Sequence, residues 1–165
     1  MSFVSVFKGL FPLLLAICTL TTEAQFQSEM IPDFNFLRLD KKPFTNKDLE
    51  QKLPLFFVFF DTDCDHCQHA IQYLDGHYNE FKKAAIYLVT LDGPEKINAF
   101  LSRNGPGLVS KKNVTILQDT RNEFISKFKP RKYPSMFLYS PEKRLVLYDD
   151  NEKNIDQFAK KISKP

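Results

Sequence analysis

Apolar and polar positions recur in several distinct rhythms along this chain, and each rhythm predicts an element. Phe34 and Phe36 alternate with polar neighbours and, with Leu39, suggest a short edge strand. The charged turn Asp40-Lys41-Lys42-Pro43 follows, then a helical turn around Lys47 to Gln51. The run "LPLFFVFF" is apolar throughout and of strand length, which suits a strand buried on both faces. From Asp65 to about Lys83 the apolar spacing changes to steps of three and four, at Cys67, Ile71, Leu74, Tyr78 and Phe81, the signature of one helix face. "AAIYLVTLD" is a second buried strand. Pro94 then opens a helix carrying Ile97, Phe100 and Leu101 that stops at the breaker "NGPG". "NVTILQD" reads as a third strand-like run and "TRNEFISKF" as a short helix, with Thr120 and Glu123 spaced as a capping box. "YPSMFLYSPEKRLVLYDD" predicts a hairpin turning at Ser140 to Lys143, and the tail is an amphipathic helix with Ile155, Phe158, Ala159 and Ile162 on one face. Strands and helices that alternate and then close with a hairpin predict an α/β fold, a mixed sheet with helices on both faces.

The first two dozen residues follow another pattern. Lys8, an apolar stretch from Leu10 to Ile17 broken by Pro12, and a polar end at Thr22-Glu23-Ala24 match a secretory signal peptide cleaved after residue 24. The stretch is shorter than the roughly 20 residues of a membrane-spanning helix. The expectation is therefore an exported protein, soluble after cleavage rather than anchored, with residues 25–165 as one folded domain. Ile17 fills the place where a lipoprotein site carries a small residue, so lipid attachment at Cys18 is not expected. Loss of Cys18 leaves Cys64 and Cys67 as the mature chain's only cysteines, too few for a disulfide scaffold.

Composition narrows the class further. With 43% hydrophobic residues and 17 Phe, the 165-residue chain can bury a sizeable core. A formal net charge of +3 without concentrated basic patches argues against a nucleic-acid partner. Lys127, Lys129, Arg131 and Lys132 flank Pro134 and read as a solvated loop.

The candidate chemistry sits in "DTDCDHCQHA", Asp61 to Ala70, directly after the most apolar strand. Three readings compete: a metal site, a redox-active dithiol and a structural disulfide. A copper or zinc site would recruit Cys64, Cys67, His66 and His69, yet no second cysteine or histidine pair completes it. Asp61, Asp63 and Asp65 imitate the start of a calcium loop, but His66 replaces the required glycine and Gln72 the bidentate glutamate. A bridge closing so short a loop removes little unfolded-chain entropy, so it is a poor staple. A dithiol fits the placement best. Cys64 falls at a helix start, where unpaired N–H groups favour the thiolate, and Cys67 lies one turn on, along the apolar stripe. Cys64 then attacks and Cys67 resolves.

These residues resemble the thioredoxin superfamily, and within it the exported redoxins of the TlpA and ResA type. The resemblance runs from "IPDFNFLRLDKKPF" through "FFVFFDTDCDHC" to "YPSMFLY" and the closing hairpin and helix. It implies a thioredoxin-like fold and a thiol–disulfide oxidoreductase with catalytic Cys64 and Cys67. It further implies that Pro134 is a cis-proline facing the dithiol, with the backbone of Tyr133 presented to a substrate peptide. Two positions depart from the family. Asp63 stands where a tryptophan usually precedes the first cysteine, and Val58 where thioredoxins bury an acid. Proton handling then falls to Asp61, Asp63, Asp65 or water. Between the cysteines, Asp65 and His66 tune the thiols in opposite senses, since a nearby negative charge disfavours a thiolate and the family's histidine stabilises it. The acidic loop and the TlpA-like character point to a reductant. The implied partners are exported proteins bearing disulfides and a membrane or periplasmic electron donor, and the implied location is the bacterial periplasm. No nicotinamide or flavin fingerprint is present, and no cofactor is expected. In that setting "NVT" at Asn113 is a chance glycosylation sequon.

Overall fold

The computed structural model describes residues 27–164. The expected signal peptide, its expected cleavage point and Cys18 lie outside the described residues. Seven strands form one sheet: β1 (Asn35–Arg38), β2 (Pro43–Thr45), β3 (Leu55–Phe59), β4 (Ala85–Thr90), β5 (Val114–Gln118), β6 (Ser135–Tyr139) and β7 (Leu145–Asp149). Five helices accompany them: α1 (Asp65–Gly76), α2 (Tyr78–Phe81), α3 (Pro94–Asn104), α4 (Glu123–Phe128) and α5 (Ile155–Ser163). The strand order is β2-β1-β5-β4-β3-β6-β7. β3, β4 and β5 run parallel, while β1 and β6 join them antiparallel. The expected mixed α/β sheet is therefore present.

Side-chain alternation along β3 divides the core in two. Phe56, Val58 and Phe60 face α1, α3 and α5 and pack with Ile71, Leu74, Ile97, Phe100 and Phe158. Leu55, Phe57 and Phe59 face the other side, against α4 and the β1–β2 hairpin. That second side is built from aromatic rings. Phe124 stacks on Phe128 at 4.1 Å and on Phe59 at 4.5 Å, and Phe57 stacks on Tyr87 at 4.7 Å. Such pairs contribute about 0.5–1.5 kcal/mol each beyond area burial. All five residues of β3 are buried, as a strand covered on both faces requires. At the "NGPG" stop, Gly105 lacks the Cβ that would meet Ile71 Cγ2 at 2.8 Å, so the end of α3 packs directly against α1.

Four sequence expectations need correction. β1 is not an edge strand, because β2 covers it: Phe44 pairs with Phe36, and three residues are too few to show a period. Pro43 stands on the outermost strand, where its missing N–H costs no ladder bond. The predicted turn near Lys47 is a 3-10 turn at Asn46–Asp48, closed by a capping box between Thr45 and Asp48. The helix expected to reach Lys83 ends at Gly76, and α2 resumes after His77 with the apolar stripe in phase, burying Phe81. The Thr120–Glu123 capping box does not form. Asn122 adopts a left-handed conformation, Asp119 Oδ2 accepts the Phe124 N–H at 2.7 Å, and the Glu123 carboxylate instead accepts from Asn35 N and Lys127 Nζ.

Candidate active site

Sheet register assembles the site. β3 ends at Phe59, and its antiparallel partner β6 begins at Ser135, directly opposite. The residues just after one strand and just before the other therefore meet at the same corner. The first set leads through Asp61, Thr62 and Asp63 to Cys64; the second is Tyr133-Pro134. The Tyr133–Pro134 peptide bond is cis. The Tyr133 ring lies 4.8 Å from that of Phe59. The parallel strand β4 ends at Thr90 on the same side and delivers Asp92. Ligand sites in open α/β sheets occupy this position, beyond the carboxyl ends of parallel strands.

Cys64 is the N-cap of α1 and is partly exposed. Its Sγ accepts the backbone N–H of Cys67 at 3.3 Å, and its carbonyl accepts that N–H at 3.0 Å and the Gln68 N–H at 3.1 Å. A cysteine sulfur thus performs the capping duty that serine or aspartate usually performs, and the helix start supplies positive potential to it. Cys67 is fully buried among Ile71, Leu74 and the β3 residues, and both cysteines are free thiols. Burial pushes the Cys67 thiol far above its ordinary value; the Cys64 side chain and the charge of Asp61 add to the rise. The structure therefore places one accessible sulfur at a helix N-terminus and one buried sulfur a turn behind it.

The three loop aspartates separate into distinct roles. Asp63 is exposed and pairs with Lys96 Nζ at 2.8 Å, and Asp65 is exposed and accepts from Gln68 at 3.3 Å. Asp61 is half-buried, and its carboxylate charge acts on both Cys67 and Tyr133. Burial, followed by the Asp61 and Asp92 charges, pushes the Tyr133 hydroxyl up to about 12. His66, between the cysteines, points towards the carboxyl-terminal segment, where its Nδ1 lies 3.0 Å from Glu152 Oε1. Val58 is completely buried in the apolar core.

Sequence reasoning missed the groups that hold this corner. Asp92 Oδ2 accepts from Thr62 N at 3.1 Å and Thr62 Oγ1 at 2.8 Å, tying the loop before Cys64 to the end of β4. Burial opposes ionisation of Asp92, but the Thr62 hydrogen bonds and Lys96 outweigh it and hold the carboxyl below its usual range. On the proline side, Ser135 Oγ donates to Lys132 O at 2.7 Å and meets the Tyr148 hydroxyl at 3.1 Å. Tyr148 and Arg131 both donate to Asp150 Oδ2. Part of the basic loop is thus structural, because Arg131 and Lys132 pair with Asp150. The Asn113 amide is also committed, donating to Ala84 O at 2.7 Å and accepting from Tyr78. The contacts that tie separate segments together, Thr62 with Asp92, Ser135 with Tyr148 and Asn113 with Ala84, join residues 30, 13 and 29 positions apart, so no local motif announces them.

The histidines of the metal reading group apart from its cysteines. Among the described residues neither cysteine joins a cluster of three potential ligands, since His66 and His69 gather with Glu152 instead. No helix among the described residues is long and apolar enough to cross a membrane.

Residues 28–148 match the family model described as "AhpC/TSA family". No curated protein sequence matches the chain. Among solved structures, the chain is similar to the thioredoxin domain of a thiol-disulfide oxidoreductase from Bacteroides vulgatus, with 21% identity, a TM-score of 0.65, and coverage of 82% of this chain and 96% of that one. A secreted Mycobacterium tuberculosis disulfide oxidoreductase homologous to E. coli DsbE aligns with 16% identity and a TM-score of 0.64, covering 80% of this chain and 96% of its own. Arabidopsis thaliana ScoI with copper bound aligns with 18% identity and a TM-score of 0.61, covering 84% of this chain and all of its own. At these identities the structural likeness establishes a thioredoxin-like fold, and the family match covers most of the sequence. The chain belongs to the AhpC/TSA family and has a thioredoxin-like fold.

Proposed function

We propose that this redoxin is an exported thiol–disulfide oxidoreductase that reduces disulfides in other exported proteins through Cys64 and Cys67. The observation that carries the reading is the asymmetry of the pair: a partly exposed sulfur capping α1 and a fully buried one behind it, beside the cis Pro134. The Cys64 thiolate attacks one sulfur of a substrate disulfide. A Cys64–substrate bond forms, the substrate S–S bond breaks, and the departing thiolate takes a proton from solvent. Cys67 then loses its proton and attacks the Cys64 sulfur, which releases the second substrate thiol. Two electrons have passed to the substrate and the pair is left as a disulfide. A dithiol donor in the membrane or periplasm returns the electrons, and no cofactor is needed.

Asp61 serves as the proton acceptor for Cys67, replacing the acid that Val58 cannot supply. It is the one loop aspartate that is half-buried and acts on the Cys67 thiol. The backbone at Tyr133, held through the Ser135–Tyr148–Asp150 network, forms the edge on which a substrate peptide lies. The pairing of His66 with Glu152 supports the reducing direction. A carboxylate against the imidazole offsets the positive charge that would stabilise the reduced, thiolate form of Cys64, and Asp65 acts in the same sense. Export rests on the amino-terminal signal pattern.

Equilibration of the pair with glutathione tests this function. A potential near the thioredoxin value of about −270 mV supports the reductant, and one near the DsbA value of about −120 mV overturns that direction. Cys67→Ala should accumulate mixed disulfides with exported proteins. A pair that takes up one copper ion and does not exchange would favour metal delivery through Cys64 and Cys67, and rapid consumption of hydroperoxide would favour a peroxidase.

A further inference from the structure

We propose that His66, His69 and Glu152 form a binding site for a divalent transition cation of the zinc(II) or copper(II) class, on the outer face of α1 and separate from the dithiol. The three residues offer two imidazole nitrogens and one carboxylate oxygen, all within 4.8 Å of one another. His66 and His69 are three apart on α1, so their side chains leave the helix on the same face. Glu152 comes from the 3-10 turn Glu152–Asn154 and reaches that face from a segment far along the chain, its Oε1 already 3.0 Å from His66 Nδ1.

The carboxylate is held in place rather than free. Its side chain is 11% exposed, against 67% for His66. The turn that carries it is fixed at several points: Asn151 Oδ1 accepts the Lys153 N–H at 3.2 Å, Asp149 Oδ1 accepts the Asn151 N–H at 2.8 Å, and Asp149 Oδ2 accepts from Asn154 Nδ2 at 2.9 Å. One preset ligand therefore faces two imidazoles whose exposed rings can turn. Metal–ligand distances of about 2.0–2.1 Å in a tetrahedral site put neighbouring ligand atoms roughly 3.4 Å apart. Rotation of the His69 ring covers the remaining gap. The donor set itself chooses the metal class. Two imidazoles with one carboxylate suit zinc(II) and copper(II), whereas magnesium and calcium call for an all-oxygen shell. Three protein ligands leave a fourth position to water.

The cysteines play no part in this site. Cys67 is fully buried on the opposite face of α1, and neither sulfur belongs to the cluster. An ordinary His66–Glu152 ion pair would account for the 3.0 Å contact alone, and it makes a different prediction, because it gives His69 nothing to do.

The test uses the protein carrying both Cys64→Ser and Cys67→Ala, prepared without a polyhistidine tag and stripped with EDTA, so that no thiol can ligate and the outcome does not depend on redox activity. Calorimetric titration with zinc chloride should show one equivalent bound per chain. His69→Ala and Glu152→Gln should each weaken that binding by about 10-fold or more, the range typical of lost metal-site partners. His77→Ala should leave it unchanged, since that imidazole is engaged with Tyr73 O. All three side chains are on or near the surface, and circular dichroism confirms that each variant is folded before titration. Absence of one-equivalent binding in the thiol-free protein, or binding indifferent to His69→Ala, overturns the proposal.

Discussion

The two faces of α1 carry opposite chemistry within the same few residues. The inner face presents Cys67, Ala70, Ile71 and Leu74, each at 0–1% exposure, while the outer face presents Asp65, His66 and His69, all exposed. The inner face works by excluding water. Burial there disfavours the Cys67 thiolate, and the aliphatic residues beside it pack around the sulfur. Titratable groups on the outer face remain in contact with solvent. Buried sulfur is thus kept apart from exposed charge by one residue of sequence and about 100° of helical rotation.

The largest effect should come from removing the inner face's partner at the helix cap. Cys64→Ser should leave no detectable disulfide exchange with a model protein disulfide, with the melting temperature little changed. Next in size, Ile71→Ala opens a cavity beneath the cysteines and should destabilise the protein by about 2–5 kcal/mol in urea unfolding. On the outer face, by contrast, Asp65→Ala should stay within about 0.5 kcal/mol of the parent. Equal losses from the two substitutions would break the comparison.

Proton handling gives intermediate effects. Asp61→Asn should slow release of the second substrate thiol on the order of 10-fold or more in single-turnover kinetics, the lower part of the range for general base catalysis, without slowing formation of the mixed disulfide. The raised Cys67 value also fixes a pH dependence. The unfolded thiol ionises near about 8.5 while the folded one does not, so the native state holds the extra proton and stability falls as pH rises above that point. One proton limits the slope to about 1.4 kcal/mol per pH unit. Between pH of about 8.5 and 10, before tyrosines contribute, the reduced protein should lose denaturation free energy relative to Cys67→Ala, and the oxidised protein should not. A parallel decline in all three would show that Cys67 is not the group responsible.

The smallest effect lies in the outer charges. Glu152→Gln, measured with EDTA present, removes a negative charge beside His66 and should raise the reduction potential of the Cys64–Cys67 pair. The exposure of His66 and solvent screening around it limit the change to under about 20 mV, equivalent to less than about 1 kcal/mol for two electrons. A fall in potential would reverse the role assigned to the His66–Glu152 pair.

Local pattern alone determined much of this protein. The five-residue buried run of β3, the three-and-four spacing after it, the Pro94 helix start and the carboxyl-terminal amphipathic stripe are all properties of neighbouring residues, and they suffice for an α/β sheet. The pairing of Cys64 and Cys67 is likewise local, since a helix start and its second turn are fixed by adjacent sequence. What escaped were arrangements decided between distant segments. β2 was invisible because three residues show no period, and it exists because Phe44 finds Phe36. The cap of α4 passed to Asp119 because Glu123 had better partners at Asn35 and Lys127. Thr62 with Asp92, Ser135 with Tyr148, and His66 with Glu152 are contacts across 30, 13 and 86 residues.

Sequence by itself therefore established the placement of the two cysteines at a helix start and the class of fold that carries them. Only the tertiary structure decided which charges act on the two sulfurs. Backbone geometry and burial periodicity depend on near neighbours, whereas a charge acts on whatever lies within a few ångströms in space. That is why the histidine set between two cysteines in the chain turns, in the folded protein, to a glutamate near its other end.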